Sequence, residues 1–246
     1  MNTNNWFQDW FGADYLELYK RRSPQEAAET VAWIISVLKL DKSIDVFDLA
    51  CGAGRHRAEL ISRGFQVTGL DLSWQLLKQA KTNNPQKLLR GDMRYIPVRA
   101  NQFDLVLSLF TSFGYFQDDA DNALVLSEAA RILKPGGMYV LDFLNETRLR
   151  SEIVPSDETK INGKQVKILR WIDDVNNRIE KRIMIAEAER TFREYRESVK
   201  LYTKEQLTTM LSAAGIRPVS IFGDYRDTPF SKSSPRLIIF GEKHGA

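Results

Sequence analysis

The sequence contains one cysteine and two histidines, and it has no continuous apolar stretch long enough to cross a bilayer. The single cysteine, Cys51, excludes an internal disulfide and a zinc site built from several cysteines. The N-terminal segment MNTNNWFQDWF has neither the basic part nor the apolar part of a secretory signal. We therefore expect a cytoplasmic protein with no membrane partner.

An excess of one charge sign is also nearly absent. The 246 residues include 35 Lys and Arg against 32 Asp and Glu, which gives a formal net charge of +3. In the richest basic region, about residues 148 to 200, the basic residues alternate with acidic ones. This pattern is typical of a solvated surface and not of a phosphate-binding groove, so nucleic acid is not the expected partner.

Strand and helix patterns alternate from residue 23 to residue 145. Ser23 and Pro24 form a start signal for a helix that extends to Leu38. The apolar strands VFDLA and FDLVLSLF are typical of a parallel sheet that is covered on both faces. We predict an α/β fold with a Rossmann-like, doubly wound, mostly parallel seven-stranded sheet.

The pattern changes after residue 145. Three runs with β-strand composition, VKILRWI, RIEKRIMI and ESVKLY, accompany turn dipeptides at Asn162-Gly163 and Asn176-Asn177. This region predicts a small antiparallel β insertion that forms a lid over the substrate. The predicted insertion covers residues 146–202, and the predicted main domain covers residues 1–145 and 203–246.

A glycine-rich loop, DLACGAGRH, begins at Asp48, where the first strand ends. Such loops let the backbone approach a dinucleotide or S-adenosylmethionine (SAM) closely. The dinucleotide fingerprint requires a third small residue where this chain has Arg57, and a carboxylate at Asp48 suits an ammonium group better than a pyrophosphate. Asp71, 19 residues after Gly52, can accept hydrogen bonds from both hydroxyls of a ribose.

The loop is followed in order by VTGLDLS, GDMRYIPV, FDLVLSLFTSFGYF and LKPGGMYVLDF. This series resembles the ordered motifs of class I SAM-dependent methyltransferases over about residues 10 to 145. It is most similar to bacterial small-molecule enzymes with a GRH turn and a TSFGYF segment. The resemblance implies SAM as the cofactor and S-adenosylhomocysteine as its product. It assigns the methionine part to Asp48, Ala50, Gly52 and Gly54, the ribose to Asp71, the adenine to Asp92 and Met93, and the pocket floor to Leu109 and Phe110. Leu72, next to Asp71, is a further candidate for a cofactor contact.

Two details qualify this resemblance. Ala50 stands where the family commonly has glycine. In similar enzymes, aromatic and basic residues of the N-terminal segment cover the methionine end of SAM, which points to Tyr15, Tyr19 and Arg21. The alternative is an amphipathic helix whose aromatic residues pack only on the core.

Methyl transfer from a sulfonium is an in-line displacement, so alignment and exclusion of water supply most of the catalysis. A base is needed only when the nucleophile arrives protonated. The catalytic candidates are His56 and Tyr115, which have alternative roles as a packed helix-start residue and a pocket-lining aromatic residue. The candidates for substrate contacts are Arg55, Phe113, Tyr115 and Arg236, and surface salt bridges explain the two arginines equally well.

The sequence favours N- or O-methylation of a small-molecule acceptor by a monomer or homodimer. Residues 109–112 lack the Asn/Asp-Pro-Pro-aromatic motif of amide and adenine methylation, and Cys51 lies in the cofactor loop, where it cannot serve a cytosine C5 mechanism. No His, Cys and Asp cluster has metal-ligand spacing. The alternatives are an RNA methyltransferase, which only the basic pI favours, and a SAM-binding protein without catalysis. A dehydrogenase is the weakest alternative.

Overall fold

The computed structural model describes residues 5–20, 24–84, 87–188 and 191–245. The predicted cap residue Ser23 lies outside these ranges. In chain order the elements are α1 (Trp6–Trp10), α2 (Ala13–Leu18), α3 (Pro24–Leu38), β1 (Asp45–Leu49), α4 (Arg55–Ser62), β2 (Gln66–Asp71), α5 (Trp74–Asn83), β3 (Leu88–Arg90), β4 (Phe103–Ser108), α6 (Asp119–Ile132), β5 (Leu133–Leu144), α7 (Glu146–Glu152), β6 (Ser156–Ile161), β7 (Lys164–Asp173), β8 (Arg178–Ala188), β9 (Thr191–Lys200), α8 (Lys204–Ala213), β10 (Ile216–Phe222) and β11 (Arg236–Lys243).

The larger sheet has seven strands in the order β10-β11-β5-β4-β1-β2-β3. Strands β1 to β5 pair in parallel, whereas β11 is antiparallel to both β5 and β10. The strand order reverses between β1 and β4, so the loops after these two strands separate and leave a crevice at their carboxyl ends. The mostly parallel seven-stranded sheet is confirmed.

Apolar side chains cover both faces of this sheet. Phe47 and Leu49 of β1 pack in one cluster, together with α6 and the second sheet, whereas Val46 packs in another with α3 and α4. Successive side chains of a strand point to opposite faces, so β1 must be apolar at nearly every position to fill both layers. Asp48 interrupts this apolar run at the carboxyl end of the strand, where the crevice begins.

The predicted antiparallel insertion is present as a second sheet with the order β6-β7-β8-β9. Its turns use left-handed backbone at Asn162, Gly163 and Asn177, with φ of +48°, +79° and +51°. The sequence predicted three strands, and the structure adds β6, whose sequence SDETKI is mostly polar and exposed. An edge strand of this kind carries no apolar alternation by which it can be recognised. The role of the insertion as a substrate lid remains a prediction.

The predicted element boundaries differ from the structure at two further points. The strand expected at Met138 begins at Leu133 and includes the LKPGG segment as a register shift against β4. In the segment FGADYLELYKRR, for which the alternative was an amphipathic helix, the structure has the shorter helix α2, and α1 precedes this segment. Within the described ranges, no helix has the length and apolar character needed to cross a membrane.

Gly69 of β2 supports the close packing beneath the glycine-rich loop. A Cβ atom at this position would lie 2.8 Å from Cys51 Sγ and 2.9 Å from Arg57 Cδ. We expect Gly69→Ala to lower the free energy of unfolding by about 1–3 kcal/mol, because neighbouring side chains must move to accept the methyl group. Denaturant titration measures this change.

Gly245→Ala is the control, because no atom of the described residues beyond its chain neighbours lies within 4 Å of a Cβ atom at this position and its φ is not in the left-handed region. Its stability should change by less than about 0.5 kcal/mol. Equal stabilities for the two variants would mean that the sheet around Gly69 is loosely packed.

Candidate cofactor and acceptor site

A cavity of about 620 Å³ opens at the carboxyl ends of β1, β2 and β4, beside the reversal of strand order. Doubly wound folds bind their ligands at this position. Most of the residues predicted to contact cofactor or substrate line this cavity: Tyr15, Tyr19, Asp48, Ala50, Gly52, Arg55, His56, Asp71, Leu72, Asp92, Met93, Leu109, Phe110 and Tyr115.

The glycine-rich loop after β1 uses left-handed backbone at three positions. Ala50, Gly52 and Gly54 have φ of +56°, +56° and +76°. Gly54 does not line the cavity but begins α4, and a Cβ atom there would lie 3.0 Å from the Cβ of Ala80 in α5. Gly54 is therefore required for the contact between α4 and α5. Ala50 adopts a conformation that glycine accepts without strain, which is consistent with glycine being common at this position in similar enzymes.

Asp48 is 2% exposed, and within the described chain its Oδ2 has no hydrogen-bond partner. Burial raises the pKa of this carboxyl to about 7, although the nearby positive charge of Arg57 opposes the shift. A buried carboxylate oxygen without a partner is costly, and a cationic ligand in the adjoining cavity would offset that cost. The ammonium group of SAM fits this position.

Asp71, the candidate ribose ligand, lines the cavity at the end of β2. Its Oδ2 accepts a hydrogen bond from Gly52 N at 2.8 Å, and its Oδ1 accepts one from Ser73 N at 2.8 Å. Burial raises the pKa of Asp71 to about 6, while these backbone hydrogen bonds act to lower it. Each carboxylate oxygen retains a second lone pair, so both remain able to accept a hydroxyl group.

Asp92 follows β3 and is held by an arginine that the sequence analysis missed. Arg94 Nη2 donates to Asp92 Oδ2 at 2.6 Å, and Arg94 Nη1 donates to Asp121 at 2.7 Å. The Arg94 guanidinium also lies 4.2 Å from the ring centre of Phe116. Burial acts to raise the pKa of Asp92, but the hydrogen bonds from Arg94 lower it overall. The GDMR spacing, two residues from acid to base, was the available signal.

Aromatic residues of the N-terminal helices cover the other side of the cavity. Phe7 and Phe11 line it together with Tyr115, and the rings of Phe11 and Tyr115 lie 5.8 Å apart. Ser73 Oγ donates to Phe11 O at 2.5 Å and so holds this cover beside Asp71. Sequence reasoning identified Tyr15 and Tyr19 in this segment but missed Phe7 and Phe11, because their positions depend on how α1 docks.

The N-terminal helices are also bound to the second sheet. Trp10 Nε1 donates to Glu197 Oε1 at 2.6 Å, and the hydroxyl of Tyr195 donates to Asp14 Oδ2 at 2.7 Å. Tyr19 donates to Glu197 Oε1 at 3.2 Å. The cover over the cavity is therefore anchored on β9, which lies 170 or more residues later in the chain.

Arg55 and His56, at the start of α4, both contact Phe110. The Arg55 guanidinium lies 3.7 Å from the Phe110 ring centre and pairs with Glu26 at 2.8 Å. The His56 ring is 6% exposed and lies 5.2 Å from the ring of Phe110. Both residues line the cavity, so His56 is placed where it can meet a ligand.

Two predicted substrate contacts lie outside the cavity lining. Phe113 is fully buried and packs on Tyr202, with 5.7 Å between ring centres. Arg236 donates to Asp142 Oδ1 at 2.6 Å and to Thr111 Oγ1 at 2.8 Å. These contacts give Phe113 a core role and Arg236 a loop-supporting role in place of substrate contact. Arg21 lies outside the described residues.

The comparisons with known proteins agree with this geometry. A family model described as a methyltransferase domain matches residues 46–137, which extend from β1 into β5 and include the glycine-rich loop and Asp71. The provisionally named methyltransferase YqeM of Bacillus subtilis (strain 168) is 27% identical, over 80% of this chain and 83% of its own length. A dTDP-3-amino-3,6-dideoxy-alpha-D-glucopyranose N,N-dimethyltransferase of Streptomyces fradiae is 27% identical, over 83% of this chain and 75% of its own length.

Solved structures share the complete fold. The structure of a SAM-dependent methyltransferase from Clostridium acetobutylicum ATCC 824 superposes with a TM-score of 0.77 at 16% identity, over 94% of this chain and 96% of that chain. The fold is that of a SAM-dependent methyltransferase structure, and the matching domain and relatives support the same activity with SAM as the cofactor.

We expect Asp71→Ala to weaken SAM binding by about 10–100-fold, because two charge-assisted hydrogen bonds to the ribose are lost. Calorimetric titration measures the affinity, and circular dichroism checks that the fold is retained. Asp71→Asn keeps one acceptor oxygen and should lose less affinity. If Asp71→Ala bound SAM as tightly as the unmodified protein, Asp71 would not be a ribose ligand.

The raised pKa of Asp48 predicts that SAM affinity depends on pH. A cationic ligand favours the ionised carboxylate, so binding releases a proton wherever the unliganded side chain is protonated, that is, below about pH 7. The association constant should therefore fall by about 5–10-fold from pH 7.5 to pH 6. Asp48→Asn, which does not titrate, should show a flatter profile over this range, and identical profiles would exclude Asp48 as the titrating group.

Proposed function

We propose that this enzyme transfers the methyl group of SAM to the amino nitrogen of a small molecule. The observation that carries the proposal is the cavity itself, which has carboxylates on its cofactor side and aromatic rings on its other side. Methylation of an amine places positive charge on the acceptor nitrogen, and aromatic faces stabilise such a charge. The Streptomyces fradiae relative, an amino-sugar N,N-dimethyltransferase by name, supports the same acceptor class.

The size and covering of the cavity favour a small acceptor over RNA. Its volume of about 620 Å³ lies within the range of about 300–1,000 Å³ that is typical of small-molecule pockets. Phe7, Tyr15 and Tyr19 of the N-terminal helices form part of its wall. A structured RNA would have to displace these side chains, whereas a small amine needs only to enter beside them.

In this proposal each group of residues has a separate task. Asp48 and Asp71 hold the ammonium group and the ribose of the cofactor, and SAM supplies an electrophilic methyl group when bound. Tyr115 and Phe11 confine the acceptor opposite the methyl group, so most of the catalysis comes from alignment. The amine attacks as a free base, and the proton of the product leaves to His56 or to water.

The test begins with calorimetric titration of SAM, S-adenosylhomocysteine and NADH. We expect micromolar affinity for the first two and no binding of NADH. Methyl transfer is then measured on matched panels of small amines and alcohols and on bulk tRNA. Turnover confined to amines would support the proposal. Turnover on alcohols alone would correct the acceptor atom, and salt-dependent turnover on tRNA alone would contradict a small-molecule acceptor.

Variants of Tyr115 separate acceptor binding from cofactor binding. Tyr115→Ala removes an aromatic wall and should lower kcat/KM for the acceptor by about 10–100-fold while the affinity for S-adenosylhomocysteine changes by less than about threefold. Tyr115→Phe retains the ring and should retain most of the activity if the ring and not the hydroxyl is required. An equal loss of affinity for S-adenosylhomocysteine in Tyr115→Ala would assign Tyr115 to the cofactor.

A further inference from the structure

A buried arginine of the second sheet is bound to the loop that carries Tyr115. Arg178, the first residue of β8, is 2% exposed. Its guanidinium donates to three consecutive backbone carbonyl oxygens of the TSFGYF segment: Gly114 O at 3.4 Å, Tyr115 O at 3.2 Å and Phe116 O at 3.0 Å. A planar guanidinium with several donors can serve adjacent acceptors at once, which an ammonium group cannot do with the same geometry.

The loop at residues 112–116 needs such partners because it is irregular and mostly buried. Buried carbonyl groups outside helices and strands have no regular backbone partner, so their hydrogen-bond donors must come from side chains or from other backbone segments. Asn122 of α6 donates to Phe116 O at 3.0 Å, and the backbone N of Lys200 donates to Gly114 O at 2.7 Å. Arg178 Nη2 donates to Tyr115 O, the carbonyl between them.

The contact between the loop and the sheet is also sterically close. Gly114 has a φ of +83°, and a Cβ atom there would lie 3.1 Å from Lys200 O. The loop backbone therefore lies directly against the end of β9. The same segment places Tyr115 and Phe116 in the cavity wall.

A chain of polar side chains holds Arg178 in place. Arg178 Nε donates to Ser198 Oγ at 2.6 Å, and Ser198 Oγ donates to Glu180 Oε1 at 2.7 Å. Arg196 Nε donates to the other oxygen of Glu180 at 2.7 Å. Glu180 is 1% exposed, so its charge is balanced within this network and not by solvent.

We propose that Arg178 is a positioning residue for the acceptor site: its guanidinium holds the carbonyl groups of Gly114, Tyr115 and Phe116 and thereby sets the position of the Tyr115 ring. The proposal rests on the proposed function of the same cavity. In this proposal the second sheet positions a residue of the acceptor site, in addition to covering the cavity. Arg178 itself does not touch the acceptor.

Hydrogen exchange of the full-length protein saturated with S-adenosylhomocysteine tests this proposal without any acceptor. In Arg178→Lys, amide exchange over residues 113–117 should increase by about 10-fold, while exchange in β1 and β2 stays unchanged. The matched control is Arg182→Lys on the same strand, whose side chain is 47% exposed and pairs with Glu194 at the surface. It should leave exchange over residues 113–117 unchanged.

Kinetics on an amine acceptor provide the second readout. Arg178→Lys should lower kcat/KM for the acceptor by about 30–100-fold, with the affinity for S-adenosylhomocysteine within about threefold of the unmodified protein. Unchanged exchange over residues 113–117 would overturn the proposal. Equal losses in acceptor efficiency, cofactor affinity and stability would also overturn it, because they would show a purely structural role.

Ser198→Ala keeps Arg178 but removes its link to Glu180, and it serves if Arg178→Lys does not fold. A smaller increase in exchange over residues 113–117, about threefold, is expected, and an unchanged rate would count against the network. If no acceptor is turned over, the proposed function fails while the exchange result still decides the positioning role.

Discussion

Two buried carboxylates at the ends of the neighbouring strands β1 and β2 dominate the candidate cofactor site. Asp48 and Asp71 are 2% and 8% exposed, and burial raises the pKa of both. A buried carboxylate needs hydrogen-bond donors from the protein in place of water. The backbone N–H of Gly52, in the left-handed turn of the loop, supplies one to Asp71. The loop conformation and the Asp71 carboxylate therefore stabilise each other. The Asp48 carboxylate has an oxygen without a described hydrogen-bond partner, and a cationic cofactor would suit it.

The loop after β4 depends in the same way on buried charges from distant segments. Phe110 and Thr111 have φ of +57° and +62°, a costly conformation for side chains of this kind. Asp142 of β5 accepts a hydrogen bond from Phe110 N at 2.8 Å, and Arg236 of β11 bridges Asp142 and Thr111. Arg236 thus stabilises the strained start of the loop, while Arg178 holds its end. The cavity wall between them is fixed from two sides.

The features that could be predicted from the sequence are those that depend on residues close together along the chain. The central strands are apolar at nearly every position, and the glycine-rich loop and Asp71 lie at fixed spacing, so the sheet and the candidate cofactor residues were recognisable. Contacts between distant segments carry no such pattern. Arg178 looks like an ordinary charged residue of an exposed strand, and Arg236 was a candidate for substrate contact. Only strand pairing and docking place both against the loop after β4. The polar strand β6 was missed because no apolar face marks it.

This difference between local and distant contacts also separates the two halves of the cavity. The proposed cofactor half comes from consecutive strand–helix units, where each residue's position follows from its neighbours in the sequence. The proposed acceptor half is assembled from α1, α2, the loop after β4 and the second sheet, joined by contacts such as Trp10 with Glu197 and Arg178 with Phe116. Substitutions in the proposed acceptor half can change its shape without altering the carboxylates that we propose hold the cofactor. The same fold can therefore retain one cofactor while its acceptor changes.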